Sequence, residues 1–130
     1  MTPRKTSINR STKETTIFVS VNLDGSGNTS VKTGINFIDH LITSFGKHGM
    51  MDLKVNAKSN DGIEHHLIED TAITIGQAID KALSSRSGIT RFSYASVPMD
   101  ESLSEASIDL VKRPFSKLTL LLKRNKTENV

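Results

Sequence analysis

The alternation of apolar and polar residues predicts most of the elements in the first half of the chain. Residues 15–23 alternate and indicate a strand, and the turn-forming residues 24–28 lead us to expect residues 29–33 to return as its hairpin partner. Residues 37–49 place apolar side chains at helical spacing, with Gly49 as the cap. Residues 51–57 alternate again and predict a strand, which the sequence Ser-Asn-Asp-Gly then ends.

The longest periodic segment predicts a helix over residues 65–83. Its apolar positions should lie on one buried stripe, formed by Ile68, Ala72, Ile75, Ile79 and Leu83. Beyond it we expect a strand over residues 92–99 that enters a turn at Pro98, then strands over 106–113 and 116–123 separated by Pro114. This order predicts a layered α+β domain. The strand pairs near Glu14 and near Asp109 form a weak internal echo, as if two copies of one unit began there.

The amino-acid composition limits the size of the core and the kinds of metal ligand that this domain could have. Hydrophobic residues make up 35% of the chain and charged residues 24%, enough for a modest core of Ile, Leu and Val. The chain has no cysteine, so a metal would have to be held by histidine and carboxylate side chains. The first residues are basic and rich in Ser and Thr without the apolar run of a signal peptide, which predicts a soluble, cytoplasmic protein with no membrane partner.

The charge pattern indicates an anionic partner. The formal net charge is +3, and basic residues gather towards both ends of the chain. Such a balance suits nucleic acid or a phosphorylated small molecule, although solvated surface lysines remain the ordinary alternative. The residues concerned are Arg4, Lys5, Arg10, Lys13, Lys112, Arg113, Lys117, Lys123, Arg124 and Lys126.

The strongest chemical signal is the sequence His-His-Leu-Ile-Glu-Asp at residues 65–70, at the start of the long helix. At about 100° per residue, His65 and Glu69 are neighbours, whereas His66 points elsewhere and is expected to pair with Asp70. Two imidazoles in different directions, one beside a carboxylate, are able to serve two metal ions. The alternative is an exposed helix start whose acidic residues favour the helix dipole.

The shorter helix carries a second polar cluster, with His40, Ser44 and His48 at four-residue intervals. A single helical histidine is more often a surface residue than a ligand, but the two clusters together hold all four histidines of the chain. We therefore expect His65, His66 and Glu69 to lie near His40, with both clusters facing a common cavity or subunit edge.

Arg91 and Arg113 are the best candidates for binding an anion, because each lies next to a turn signal and a guanidinium fork suits phosphate. For each arginine taken alone, an ordinary surface position is the competing interpretation. Glu14 precedes the first predicted strand and would be unremarkable as a single residue.

Read in order, these motifs resemble the imidazoleglycerol-phosphate dehydratase family from about residue 10 onwards. The matching segments are residues 13–17 (KETTI), 23–27 (LDGSG), 33–40 (TGINFIDH), 65–72 (HHLIEDTA), 76–78 (GQA), 88–92 (GITRF), 97–101 (VPMDE) and 113–114 (RP). Departures are Glu64, where the family usually has Asp, Ser44 in place of a common Gln, and Val111-Lys112 before Arg113.

The resemblance implies a fold of tandem βαβ-type repeats, with helices packed on mixed or antiparallel sheets. Residues 1–90 would form the first repeat and residues 91–130 the opening strands of an incomplete second one. It also implies two Mn²⁺ ions per active site and a homo-oligomer, a 24-subunit shell in the family, with no nucleic-acid partner. The implied metal ligands are His40, His65, His66 and Glu69, and the implied substrate-binding residues are Glu14, His48, Arg91 and Arg113.

The activity implied is that of a carbon–oxygen lyase of histidine biosynthesis, which dehydrates D-erythro-imidazoleglycerol phosphate to imidazoleacetol phosphate. Glu14 would be the catalytic acid or base, and the imidazole of the substrate the electron sink. The resemblance stops before the second His-His-x-x-Glu motif of the family, so we expect the 130 residues to be inactive by themselves. A non-catalytic metal-binding or assembly module is the alternative, and a basic RNA-binding domain a weaker one.

Overall fold

The computed structural model describes residues 3–120, which contain six strands and two helices. The elements are β1 (Lys5–Ser11), β2 (Thr15–Asn22), β3 (Thr29–Lys32), α1 (Asn36–His48), β4 (Asp52–Ser59), α2 (Glu64–Leu83), β5 (Phe92–Met99) and β6 (Ser102–Asp109). The chain divides into two compact units, with the boundary between Ser84 and Ser85. The predicted α+β class with a mixed sheet is confirmed. Neither helix of this described part is long and apolar enough to cross a membrane.

The first unit is a four-stranded sheet in the order β1-β2-β4-β3 with its core on one face. Alternate residues of β2 and β4 are buried, and the pairing register sets the buried side chains opposite each other. Val19, which is fully buried, lies opposite Val55. Such buried cross-strand pairs stabilise the sheet and explain why alternation predicted both strands correctly.

Both helices pack on the core, and each buries small residues. Gly46 of α1 lies so close to the sheet that a Cβ there would come within 2.6 Å of the Thr29 side chain and 3.3 Å of the Leu53 Cβ atom. The buried face of α2 includes Leu67, Thr71, Thr74, Ile75 and Ala78. The predicted α2 stripe was therefore partly wrong.

The predicted buried face of α2 is rotated about the helix axis relative to the observed one. Ile75 and Leu83 are buried as predicted, but Ile68 and Ile79 are only half-buried and Ala72 is exposed. Thr71 and Thr74 took the central buried positions, and the hydroxyl of Thr71 has no hydrogen-bond partner among the described residues. A threonine hydroxyl can, however, be satisfied within a helix by the carbonyl one turn earlier. The Thr74 hydroxyl, for example, donates a hydrogen bond of 2.7 Å to the Asp70 carbonyl.

Strand β1 was missed because its sequence is almost entirely polar. It pairs antiparallel with β2 along its whole length, from Lys5 opposite Asn22 to Ser11 opposite Thr16. Its inward-facing Arg10 forms an ion pair with Asp70 of α2, whose side chain is only 8% exposed. An inward arginine breaks the alternation of apolar residues that identifies a strand in sequence.

Three further expectations differ from the structure. Residues 29–32 do form a strand, but β3 pairs parallel with β4 and is not the hairpin partner of β2. The turn after β5 follows Met99, so Pro98 lies within the strand, and β6 runs from Ser102 to Asp109 where we expected residues 106–113. Residues 116–120 of the expected last strand have no regular structure, and residues 121–123 lie outside the described part, as do Lys123, Arg124 and Lys126.

The two hairpins of the chain share one pairing register. Lys5 pairs with Asn22 and Phe92 with Asp109, so both partners lie 87 positions further along. The same offset relates the hydrogen bond from Leu23 N to Arg4 O to that from Leu110 N to Arg91 O. This is the geometry expected of the weak echo in the sequence, although the proposed boundary at residue 90 stays a prediction.

Replacing Asp70 with Ala is expected to destabilise the first unit by about 3 kcal/mol. The change leaves Arg10 without its carboxylate, and it leaves the Thr15 hydroxyl, which donates 2.6 Å to Asp70 Oδ2, buried without that acceptor. Urea unfolding followed by circular dichroism measures the loss. Asp24→Ala is the matched control, because it removes an Arg–Asp pair in which both side chains are more than two-fifths exposed, and it should cost much less. Equal losses in the two variants would contradict the assignment.

Candidate metal and substrate site

The first turn of α2 is held by the carboxylate of Asp61, two residues ahead of the N-cap Ile63. Asp61 Oδ1 accepts a hydrogen bond of 2.9 Å from Ile63 N and one of 3.0 Å from the Ser59 hydroxyl. The other oxygen, Oδ2, lies 2.7 Å from Nδ1 of His66. One carboxylate therefore fixes both the start of the helix and the orientation of the His66 ring.

The electrostatics of this pair determine which nitrogen of His66 is available. The Ile63 amide, followed by His66, lowers the pKa of Asp61 to about 2, so this carboxylate is ionised at neutral pH. The hydrogen bond that the His66 ring makes to the Asp61 carboxylate is the main reason why the pKa of His66 is raised. With Nδ1–H donated to the carboxylate, the neutral ring presents Nε2 as its free electron pair, which is the tautomer that a metal ligand requires.

Glu14 is brought to the same place by the buried residue that follows it. The Thr15 side chain is fully buried and binds Asp70, which ties the start of β2 to the first turns of α2. Glu14 itself is exposed in the turn between β1 and β2, and its charge contributes to raising the pKa of His66. Residues 52 positions apart in the sequence thus share one electrostatic environment.

His65 and Glu69 form the second part of the helix start. Nε2 of His65 lies 3.3 Å from Oε2 of Glu69, one turn later, as helical spacing predicted. Both side chains are more than half exposed, and the rings of His65 and His66 are tilted by 59° with centroids 5.8 Å apart. The expected pairing of His66 with Asp70 was wrong: Asp61 takes that role, and Asp70 is engaged by Arg10.

The other two histidines of the described residues, His40 and His48, lie on α1. Asp39 anchors the start of α1 by accepting hydrogen bonds from the Thr33 amide and hydroxyl, at 2.8 Å and 2.6 Å. His40 and His48 are exposed, and Ser44 is half-buried. Within residues 3–120, no three His, Cys, Asp or Glu side chains gather in a way that would hold a metal. The expectation that His65, His66 and Glu69 lie near His40, at a common cavity or subunit edge, therefore stays a prediction.

The candidate phosphate residues belong to the second unit, where Arg91 is already engaged. Its Nε and Nη2 atoms lie 2.6 Å and 2.9 Å from the two oxygens of Asp109, and its guanidinium carbon lies 4.7 Å from the centre of the Phe92 ring. Arg113 is exposed and, with Asp109, lines an open groove of about 900 Å³. Arg91, followed by a smaller effect of Arg113, lowers the pKa of Asp109.

Two residues of the site were missed in the sequence, Asp61 and Asp109. Asp61 was interpreted only as part of a turn, although an aspartate side chain commonly accepts a hydrogen bond from the backbone amide two residues further on, as Asp61 does from Ile63. Asp109 was placed in a strand without a partner, and only the antiparallel register of β5 and β6 brings it beside Arg91. The role of Asp61 could therefore have been inferred from the local sequence, whereas the contact of Asp109 with Arg91 could not.

Known proteins whose sequences are similar to this chain share one family name. The family model described as imidazoleglycerol-phosphate dehydratase matches residues 33–130. A protein of that name from Acidiphilium cryptum is 51% identical over 113 residues, covering 86% of this chain and 58% of the relative. Another from Dehalococcoides mccartyi is 45% identical over 125 residues, covering 96% of this chain and 63% of the relative.

A solved structure supports the same relationship at the level of the fold. The crystal structure of imidazoleglycerol-phosphate dehydratase from Staphylococcus aureus has a TM-score of 0.82 and 25% sequence identity with this chain. The match covers 95% of this chain and 68% of that one. The chain thus spans about three-fifths of the length of the curated relatives described above.

Proposed function

Since the chain belongs to the imidazoleglycerol-phosphate dehydratase family, we propose that it forms part of a lyase of histidine biosynthesis. The reaction is the dehydration of D-erythro-imidazoleglycerol phosphate to imidazoleacetol phosphate. We place this reaction in the cytoplasm, because a phosphorylated intermediate is charged and does not cross membranes freely.

One observation supports this proposal most strongly: the carboxylates of Glu14, Asp61 and Glu69 all act on His66 at the start of α2, although they come from three parts of the chain. The charges of Glu14, Asp61 and Glu69 all raise the pKa of His66. A solvated helix start needs no carboxylate from the β1–β2 turn. A site that binds an imidazole ring and moves its protons does.

The side chains at this position suit a divalent cation such as Mn²⁺. Imidazole and carboxylate donors without thiolate favour a borderline or hard ion, and Asp61 presets His66 to offer Nε2. We propose His40, His65, His66 and Glu69 as the ligands. The cation would supply stabilisation of the negative charge that develops on the imidazole of the substrate.

The remaining candidate residues bind and orient the substrate or move a proton. Glu14 is exposed and is free to exchange protons with a bound ligand, so we assign it the role of acid or base. Arg91, Arg113 and His48 carry donors for a phosphate, and the fork of Arg113 faces an open groove.

The separation of the donors supports assembly of identical subunits. Residues 3–120 hold no cluster of three metal-binding side chains, whereas His40, His65 and Glu69 are exposed. Exposed partial sets of ligands on one chain are what a site shared between subunits requires. We therefore propose a homo-oligomer in which different chains complete each metal site.

The test of this function uses a chimera, in which residues 1–130 are followed by the C-terminal part of the Acidiphilium cryptum relative. Removal of divalent cations with a chelator is expected to abolish formation of imidazoleacetol phosphate, and Mn²⁺ is expected to restore it. Restoration by no divalent cation at all would contradict the proposal.

In the same chimera, Asp61→Asn is expected to weaken Mn²⁺ binding by about 10- to 100-fold. Asparagine keeps an oxygen for the Ile63 amide but loses the charge that orients His66, so the helix should remain while the ligand loses its preset tautomer. Calorimetric titration with Mn²⁺ measures the change. Asp100→Asn, at the exposed turn between β5 and β6, is the matched control. Unchanged affinity in Asp61→Asn would show that Asp61 is only a helix cap.

A further inference from the structure

The two hairpins differ in one detail that distinguishes a structural contact from a functional one. At the start of each hairpin an arginine binds an aspartate through its Nε and Nη2 atoms. The pairs are Arg4 with Asp24 and Arg91 with Asp109. The arginines are related by the offset of 87 residues, but the aspartates are not: Asp109 corresponds to Asn22, and Asp24 to Val111. The aspartate of the first pair thus lies in the loop after β2, whereas the aspartate of the second pair lies on strand β6.

This difference places the Asp109 carboxylate in contact with Arg91 and in the same groove as Arg113. Asp109 contacts Arg91 directly, and Arg113 is near enough to lower the pKa of the Asp109 carboxyl. Asp109 and Arg113 also line the same open groove. Among the described residues, the one cation that affects the pKa of Asp24 is its own partner, Arg4.

The geometry of the Arg91 fork leaves part of it available. Asp109 occupies Nε and one hydrogen of Nη2. A guanidinium has five N–H donors, so both hydrogens of Nη1 and one of Nη2 remain. These form the end-on edge of the fork, which fits two oxygens of a phosphate. Stacking of the guanidinium near the Phe92 ring holds its plane from a second direction.

We propose that Asp109 is a positioning residue, which fixes the guanidinium of Arg91 so that its free edge and Arg113 receive one phosphate group. The inference rests on the proposed phosphate role of the two arginines. Two effects of the carboxylate oppose each other, since its negative charge repels a phosphate while its hydrogen bonds order a long side chain. Ordering prevails because the pair is exposed, where salt screens the repulsion but leaves the bidentate geometry intact.

The test is an NMR titration of the 130-residue chain, labelled with ¹⁵N-arginine, with inorganic phosphate at constant ionic strength. Phosphate is expected to shift the guanidinium resonances of Arg91 and Arg113. In Asp109→Asn the dissociation constant for phosphate should rise about tenfold, and in Asp109→Glu, which keeps the charge, it should rise less. Asp24→Asn is the matched control: it should free the Arg4 guanidinium and leave phosphate binding unchanged.

The outcomes separate the inference from the function on which it rests. If phosphate shifts neither arginine in the unsubstituted chain, the phosphate role itself fails, and this inference fails with it. If phosphate shifts both arginines but binds Asp109→Asn as tightly as before, or more tightly, only the positioning role is overturned. A purely structural pair would lower the melting temperature of both the Asp109→Asn and Asp24→Asn variants without changing the affinity for phosphate.

Discussion

Replacing Glu14 with Gln in the chimera is expected to lower kcat for dehydration by about 10²- to 10⁴-fold, the contribution that a positioned acid or base makes. The amide keeps the size of the side chain and removes its ability to exchange a proton. The fold should not change, because the hydrogen bonds of this residue run through its main chain. Its amide donates a hydrogen bond to the Thr12 hydroxyl oxygen, and its carbonyl accepts one from Asn60 N.

Steady-state kinetics with a Lys13→Gln control measures this effect. Lys13 is the exposed neighbour of Glu14 in the same turn, so its replacement reports any disturbance of the turn itself. KM should change far less than kcat in Glu14→Gln, because the residue acts on the proton and the two arginines hold the phosphate. Equal kcat values for the two variants would remove Glu14 from the chemistry.

Residues 1–130 alone are expected to turn over the substrate at less than about a thousandth of the rate of the chimera, the scale of loss when groups that act together in catalysis are removed. The ligands proposed within these residues are three histidines and one glutamate, which are too few for two ions even when subunits share them. Comparable turnover by the two proteins would contradict this expectation.

Sequence pattern predicted the elements that bury apolar residues in a regular order. Strands β2 and β4 alternate cleanly, because Val19 and Val55 meet inside the sheet. Helix α2 has twenty residues of helical periodicity, which no short strand can imitate. Where burial depends on hydrogen bonds, pattern alone failed: Arg10 lies inward on β1 only because Asp70 receives it from α2.

The candidate site was predictable as a set of residues but not as a geometry. The i, i+4 contact of His65 with Glu69 follows from helical spacing and was predicted. By contrast, the partner of His66 is Asp61, which lies in the turn before the helix and contacts the ring nitrogen Nδ1. The neighbour of Arg91 depends on strand register, which a local sequence does not specify.

The roles of the candidate residues remain predictions, whereas membership of the family does not. The match of residues 33–130 to the family model and the 51% identity with the Acidiphilium cryptum relative establish the family. A family fold can lose its chemistry while it keeps its shape, so activity has to be argued from the site. Residues 1–130 themselves contain the arrangement around His66, on which the proposed activity rests.

The most direct test is the rate at which the Mn²⁺-loaded chimera converts D-erythro-imidazoleglycerol phosphate to imidazoleacetol phosphate, compared with the complete Acidiphilium cryptum relative. A first half with intact metal and substrate residues predicts kcat/KM within about tenfold of the relative, a difference of about 1.4 kcal/mol in transition-state stabilisation. A chimera that assembles and binds Mn²⁺ as the relative does, yet forms no product, would contradict the account and favour a metal-binding or assembly module without catalytic activity.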